Sequence, residues 1–281
     1  MAGELYLCAT PIGNLEDITF RVIRILKEAD VIAAEDTRNS IKLLNHFDIK
    51  TPMTSYHEYN KYDKAASLVN MMLEGKTVAC ITDAGTPGIS DPGEELVKQA
   101  LNAGIKVSSV PGAAACITAL TMSGRKTRRF AFEAFLPADK KERARVLETL
   151  KDETRTMIIY EAPHHLKKTL KELFECLGDR EISICRELTK IHEETVLTTL
   201  CGAINKYESE DPKGEYVLVI EGKSFEEIEQ SKEEEFAALD IGEHIKLYTD
   251  RGIDKKEAMK LVANDRGISK REVYAWLISN E

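Results

Sequence analysis

Val78-Ala79-Cys80-Ile81-Thr82 runs directly into Asp83-Ala84-Gly85-Thr86-Pro87-Gly88-Ile89-Ser90-Asp91-Pro92-Gly93. An apolar run without alternation suits a strand buried on both faces, and the Gly- and Pro-rich stretch after it predicts a loop at the strand's carboxyl end. The same two-part pattern occurs three more times in the first half. Leu5–Ala9 opens into Thr10-Pro11-Ile12-Gly13-Asn14, Val31–Ala34 into Glu35-Asp36-Thr37-Arg38, and Val107–Val110 into Pro111-Gly112-Ala113-Ala114-Ala115. Helix-like stretches with apolar residues three or four apart, Thr19–Ala29, Lys61–Leu73 and Pro92–Ala103, lie between these runs. Strand alternating with helix predicts an α/β fold with a parallel sheet, its four loops sharing one rim where ligands gather.

The second half repeats the alternation. Phe130–Phe135, Met157–Tyr160, Ile182–Cys185, Thr195–Leu200 and Tyr216–Ile220 read as strands, Lys140–Lys151 and His165–Leu177 as helices. Phe225–Phe236 carries six glutamates against Lys232 alone, a block read as a solvated helix or linker and taken as a boundary. Beyond it, Ile241–Tyr248, Lys255–Asn264 and Lys270–Ile278 read as short helices broken at Gly252 and Gly267, with Ser269 as an N-cap and Trp276 filling a small core. The organisation expected is an N-terminal α/β domain over 1–118, a second α/β domain over 119–224, and a helical C-terminal segment over 236–281.

Length and composition agree. A chain of 281 residues, 43% hydrophobic, 31% charged and 6% aromatic, is long enough for two domains with their own cores and too apolar for disorder. No apolar run reaches the roughly 18 residues of a membrane span, and Met1 to Tyr6 lacks the basic start of a signal peptide, so a cytoplasmic protein that binds no membrane is expected. The cysteines, Cys8, Cys80, Cys116, Cys176, Cys185 and Cys201, are scattered without metal-binding spacing, which predicts buried reduced thiols and no metal site. A net charge of −9 excludes a general polyanion binder, so contact with nucleic acid must be local. Eight basic residues against three acids between Arg125 and Arg145 offer such a place, with Arg125, Lys126, Arg128 and Arg129 as the first candidates for RNA phosphates; a solvated face is the other reading.

No G-x-x-x-x-G-K-[ST] and no G-x-G-x-x-G after a strand is present, which turns the reading away from ATP hydrolysis and hydride transfer. The Asp83–Gly93 loop would let main-chain groups approach a small polar ligand, and Asp83 and Asp91, with no basic residue in the loop, suit a ligand of fixed positive charge such as a sulfonium.

These loops resemble those of a known family, the S-adenosylmethionine-dependent methyltransferases of the tetrapyrrole methylase fold, and most of all its branch acting on small-subunit ribosomal RNA. The resemblance rests on Ala9–Thr19, Glu35-Asp36-Thr37-Arg38, Asp83–Gly93 and Pro111–Ala115. It continues through Tyr160-Glu161-Ala162-Pro163-His164, Arg186-Glu187-Leu188-Thr189-Lys190 and Lys213-Gly214-Glu215-Tyr216, covering about residues 4 to 222. It implies two α/β domains with S-adenosylmethionine in the cleft between them, a homodimer, and 2′-O-methylation of a cytidine ribose in the decoding region of the small ribosomal subunit. Carried over by motif, the cofactor contacts are Pro11, Gly85, Thr86, Pro87, Ile89, Ala114, Ala115, Tyr160, Leu188 and Tyr216. Where the family often has Ser or Pro, this chain has Ala113 and Ala114, so contacts there must come from the main chain.

Methyl transfer to a hydroxyl also needs a proton acceptor. Asp36 is the first nominee, with Arg38 holding a phosphate or the carboxylate itself; a structural Asp36–Arg38 pair bracing the loop is the competing reading, and His57 and Glu58 are lesser nominees. The helical tail, with Lys255, Lys256, Arg266, Lys270 and Arg271, is read either as an RNA-docking helix-turn-helix or as a packing and dimer-supporting element. Methylation of a small molecule such as a tetrapyrrole, and a ribosome-associated binding protein without turnover, remain the alternative functions.

Overall fold

The computed structural model describes residues 2–280, apart from the side chains of 231–235, 237 and 238. The expectation of a solvated acidic face over Phe225–Phe236 lies, for those side chains, outside the described residues.

The first sheet comprises β1 (Glu4–Cys8), β2 (Val31–Ala34), β3 (Met53–Ser55), β4 (Val78–Ile81) and β5 (Lys106–Val110) in the order β3-β2-β4-β1-β5, with every pair parallel. Helices α1 (Phe20–Glu28), α2 (Thr37–His46), α3 (Lys61–Leu73) and α4 (Gly93–Asn102) cover it. Every residue of β2 and β4 is buried, which explains their unbroken apolar sequences. Val31, Ala33, Val78 and Cys80 pack with Leu68, Met72, Leu96 and Ala100 of α3 and α4. Their neighbours Ile32, Ala34, Ala79 and Ile81 face the opposite way, onto Val22, Ile25 and Leu26 of α1 and Leu44 of α2. Thr19 starts α1 by accepting a hydrogen bond from the Val22 N–H, and Asp36 starts α2 by accepting one from the Arg38 N–H.

Helix α5 (Ala115–Met122) leads to the second sheet: β6 (Phe130–Phe135), β7 (Thr156–Glu161), β8 (Glu181–Arg186), β9 (Glu194–Thr199) and β10 (Tyr216–Ile220), ordered β6-β7-β10-β8-β9. It is mixed. Only β6 and β7 run parallel, and their register shifts between Phe132 and Ala134. Strand β10 runs against both its neighbours, so Tyr216 at its start lies opposite Glu161 at the end of β7 and Arg186 at the end of β8. Helices α6 (Lys140–Leu150), α7 (Pro163–Leu177) and α8 (Leu200–Ser209) complete this half. The expected boundary between 118 and 119 falls inside α5, whose Cys116, Ala119 and Leu120 pack with Ile158, Cys185, Val217 and Val219 of the second sheet and with Ile12 from the first loop.

By contacts the chain divides into two compact units, one formed by 1–148 with 156–221 and holding both sheets, the other by 149–155 with 222–281. The second unit contains α9 (Phe225–Ala238), α10 (Ile241–Thr249), α11 (Lys255–Asp265) and α12 (Lys270–Asn280). Its core is Ile245, Ala258, Val262, Ala263 and Val273, and Trp276 packs at Gly242 at its side. Ser269 and Glu272 cap α12 reciprocally, as the sequence predicts for Ser269. Among the described residues no helix is long and apolar enough to cross a membrane. Cys8, Cys80, Cys116 and Cys185 are buried, while Cys176 is half-buried and Cys201 exposed, which corrects the expectation of burial for those two.

Candidate active site

Two main-chain bonds and one side-chain bond tie three of the predicted loops together. The Thr10 N–H donates to the Gly85 carbonyl at 2.9 Å and the Gly85 N–H returns a bond to Thr10 at 3.1 Å. The Thr86 hydroxyl donates to the Ala113 carbonyl at 2.9 Å, joining the loop after β4 to the loop after β5. The long loop is braced from within by Asp91, whose carboxylate accepts the N–H groups of Gly88 (2.9 Å), Ile89 (3.3 Å) and Gly93 (2.7 Å). Behind it the buried Tyr56 hydroxyl donates to the Pro92 carbonyl at 2.7 Å. Asp91 therefore spends its charge on its own loop, which corrects the expectation that it faces a cationic ligand.

These loops and the ends of the second-sheet strands enclose a cavity of about 450 Å³. Of the predicted cofactor contacts, Gly85, Thr86, Ile89, Ala114, Ala115, Tyr160, Leu188 and Tyr216 line it. Pro11 instead lines a second cavity of about 430 Å³, and Pro87 lines neither. The Tyr160 hydroxyl accepts the Cys116 N–H at 2.9 Å, and its ring meets Phe132 and Phe135 edge-on at 5.0 and 5.6 Å. Burial pushes this phenol above its ordinary pKa, so it stays protonated near neutrality. Among the described residues the cavity lining holds two carboxylates, Glu161 and Glu215, and no Lys or Arg. Glu161 is buried, bonded by the Thr169 hydroxyl and by the Ala162 N–H at 2.8 Å, with Arg143 at 4.0 Å. The volume lies within the roughly 300–1,000 Å³ of small-molecule sites. Apolar walls at Ile12, Leu188 and Val217, acceptor carboxylates and the absence of a lining cation fit a sulfonium-bearing nucleoside.

The second cavity lies between α2 and the first loop and is lined by Asn39, Lys42 and His46 of α2, by Asp83, and by Lys190 and Glu215. Sequence reasoning passed over Lys42, His46, Lys190 and Glu215 as chemistry, although Lys190 and Glu215 stand inside quoted motifs.

Asp36 has a different place from the one nominated. Its carboxylate accepts from the Arg38 backbone N–H at 2.8 Å and holds the Arg38 guanidinium through bonds of 3.1 and 2.7 Å. The side-chain bond from Arg38, then the backbone one, hold its carboxyl down at about 2. A group that gives up its proton so readily is a poor acceptor at neutral pH, and Asp36 lines neither cavity. The structure thus favours the bracing pair over the proton acceptor. Glu58 is engaged by Lys61, and neither it nor His57 lines these cavities.

Of the basic candidates, Arg125 is corrected: its side chain is 9% exposed and its guanidinium is ion-paired to Glu181 and Glu221. A cation neutralised in this way has no charge left for phosphate. Lys126, Arg128 and Arg129 are exposed in the turn before β6, with Lys126 3.2 Å from Glu221. Arg143 likewise turns inward, to Glu172 and Thr169 at 2.7 Å each.

A model of the tetrapyrrole (corrin/porphyrin) methylases matches residues 4–203. The ribosomal RNA small subunit methyltransferase I of Halalkalibacterium halodurans is 51% identical over 97% of this chain and 93% of its own length, and that of Bacillus subtilis 47% identical over the same shares. The crystal structure of uroporphyrin-III C-methyltransferase from Thermus thermophilus, complexed with S-adenosylhomocysteine, superposes with a TM-score of 0.54 at 20% identity over 77% of this chain and 92% of that one, a likeness of fold. With two parallel-loop cavities at the rim, a family model spanning most of both sheets and near full-length relatives, the chain belongs to the tetrapyrrole methylase family and, within it, to the ribosomal RNA small subunit methyltransferase I family.

Proposed function

We propose that this chain transfers a methyl group from S-adenosylmethionine to the ribose 2′-hydroxyl of a cytidine in small-subunit ribosomal RNA, acting as a cytoplasmic homodimer. One observation carries the reading: the cavity of about 450 Å³ brings together eight of the ten residues at which the family's cofactor contacts were expected. The near full-length likeness to proteins named for small-subunit ribosomal RNA supports the choice of acceptor.

Bound in that cavity, the cofactor supplies an electrophilic methyl carbon on a cationic sulfur. The residues of the chain do the rest. Gly85, Thr86, Ala114 and Ala115 present main-chain groups to the ligand, while Tyr160, Leu188 and Tyr216 close the opposite wall and exclude water. An in-line displacement depends on holding the two reacting atoms at near-attack distance. The second cavity, lined in part by Lys42, His46 and Lys190, gives a nucleotide a place beside the first. A ribose inside folded RNA reaches such a place by leaving its stack, at a cost of about a few kcal/mol. Lys126, Arg128 and Arg129 would take RNA phosphates outside the cavities, offsetting the net acidity locally.

The test mixes the protein with methyl-labelled S-adenosylmethionine and small ribosomal subunits lacking the modification, or their naked RNA, and maps the labelled nucleoside. Labelled 2′-O-methylcytidine is expected. Label in a porphyrinoid but in neither RNA would transfer the activity to a small-molecule acceptor, and no S-adenosylhomocysteine above background would leave a binding protein.

A further inference from the structure

The two cavities share three lining residues, Ile12, Ala84 and Glu215. A residue common to both walls stands where their contents meet, and of the three only Glu215 can exchange a proton. We propose that Glu215 accepts the proton of the acceptor hydroxyl during methyl transfer, and that Lys190 positions its carboxylate. This rests on the reading of the site as a ribose methyltransferase.

The competing carboxylates are placed otherwise. Glu161 lines only the first cavity, buried among its own hydrogen bonds, and Asp83 lines only the second, where it accepts from the Asp36 N–H at 3.2 Å and the Asn39 amide at 3.4 Å. The Glu215 side chain is 80% exposed, so a substrate can reach it, yet it is held. Lys190 Nζ lies 2.8 Å from Glu215 Oε2 and 2.9 Å from Glu187 Oε1, and the Glu215 N–H donates to that same Glu187 oxygen at 2.9 Å. Burial works against the charge on Lys190, but its bonds to Glu215 and Glu187 outweigh it and raise the ammonium above its ordinary pKa. Lys190 is therefore the cation that orients and leaves proton transfer to the carboxylate.

The backbone around this group is tightly determined. Glu187 (φ 50°) and Thr189 (φ 65°) adopt the left-handed conformation that side chains disfavour, a form of strain that persists only where surroundings enforce it. Gly214 (φ 82°) has no room for a Cβ, which would lie 2.5 Å from the Glu187 carboxyl carbon. A Cβ on Gly13 would lie 2.5 Å from Lys190 Cγ, so the first loop is pressed against the residue that positions the base.

In the reaction the hydroxyl O–H bond breaks and its proton passes to Glu215 Oε1, the oxygen that Lys190 leaves free. The hydroxyl oxygen forms the new bond to the methyl carbon. The methyl–sulfur bond breaks with its electron pair kept by sulfur, which goes from sulfonium to neutral thioether, and no oxidant or reductant is needed.

The experiment compares the full-length wild type with Glu215→Gln. Single-turnover methylation of unmodified small subunits should fall by about 10²–10⁴-fold at pH 7, the range for loss of a general base. Calorimetric affinity for S-adenosylhomocysteine, which lacks the sulfonium charge, should be unchanged, and this also reports folding. Lys190→Met should lower the single-turnover rate while S-adenosylhomocysteine affinity stays unchanged, and Lys190→Arg, which keeps the cation beside Glu215, should restore part of that rate. Wild-type labelling matched by Glu215→Gln overturns this inference alone. Loss of S-adenosylhomocysteine binding together with rate makes Glu215 a cofactor-holding residue and overturns it too. A wild type that labels no ribosomal RNA overturns the ribosomal reading and this inference with it.

Discussion

The two sheets serve one cavity by different means. In the first, every strand is parallel, so all carboxyl ends reach one rim and each exit can offer a loop. Those loops contribute mostly main chain: Gly85, Ala114 and Ala115 have little side chain to give. In the second sheet only β6 and β7 run parallel, and contributions come from the ends of β7 and β8 and the start of β10. The antiparallel register that sets Tyr216 opposite Glu161 and Arg186 brings these points together, and what they offer is side chain: Tyr160, Leu188, Glu215 and Tyr216. A parallel sheet supplies a cradle whose shape is almost independent of residue type, and the mixed sheet supplies the chemistry.

The most damaging way to break that comparison is to fill the cradle. Thr86→Arg places a long cation in a cavity lined by no other, and should weaken S-adenosylhomocysteine binding more than about 100-fold while the thermal melt stays near wild type, because unsuitable bulk and charge cost several kcal/mol in a closed site; calorimetry that finds normal affinity would remove the first-sheet wall. A smaller effect is expected away from both walls. Arg128→Glu combined with Arg129→Glu should lower affinity for small-subunit RNA by about 10-fold or more and flatten its salt dependence, without changing S-adenosylhomocysteine affinity, as expected when phosphate contacts are lost.

On the side-chain wall, Tyr160→Phe deletes the acceptor of the Cys116 N–H and should weaken cofactor binding by about 3- to 10-fold, the worth of one hydrogen bond of ~1 kcal/mol; the titration that measures it also tests whether α5 is held in place from the second sheet. The smallest effect belongs to Asp36→Asn. The rate profile from pH 5 to 9 should keep its shape, because a carboxyl held at about 2 is ionised throughout that range. Its folded pKa is depressed, so the stability it adds is present above the ordinary value of 3.8 and is lost as pH falls toward 2. Melting wild type and variant at pH 7 and pH 3 should show their difference shrinking at the lower pH.

The regular part of this architecture was legible because β2 and β4 are buried on both faces and leave no polar alternation to confuse the pattern. Strand β3 has three half-buried residues, too few to leave a period. Helix α2 buries only Ser40 and Leu44, so its apolar stripe is faint beside a polar surface. Helix α8 begins directly after β9 at Leu200, the last residue of the strand read from the sequence, with the Thr199 hydroxyl capping it. Eight of the ten positions carried over by motif line the first cavity, and the Gly, Pro and Ala loops among them announce close main-chain approach. Arg125 could not be judged, because Glu181 and Glu221, the acids that neutralise it, are far along the chain. Glu215 stood in a quoted motif, but its role depends on two cavities meeting at one side chain, a fact of three dimensions.

The close seating of Gly13 against Lys190 also bears on when the enzyme becomes an enzyme. Translation proceeds at about 5–20 residues per second, so roughly 10–40 s separate the emergence of Gly13 from that of Glu215. During that interval the cradle of the first sheet exists without its far wall. The cavity gains the part of its wall that Glu215 and Tyr216 supply only when β10 is inserted between β7 and β8, so the site is completed late in synthesis.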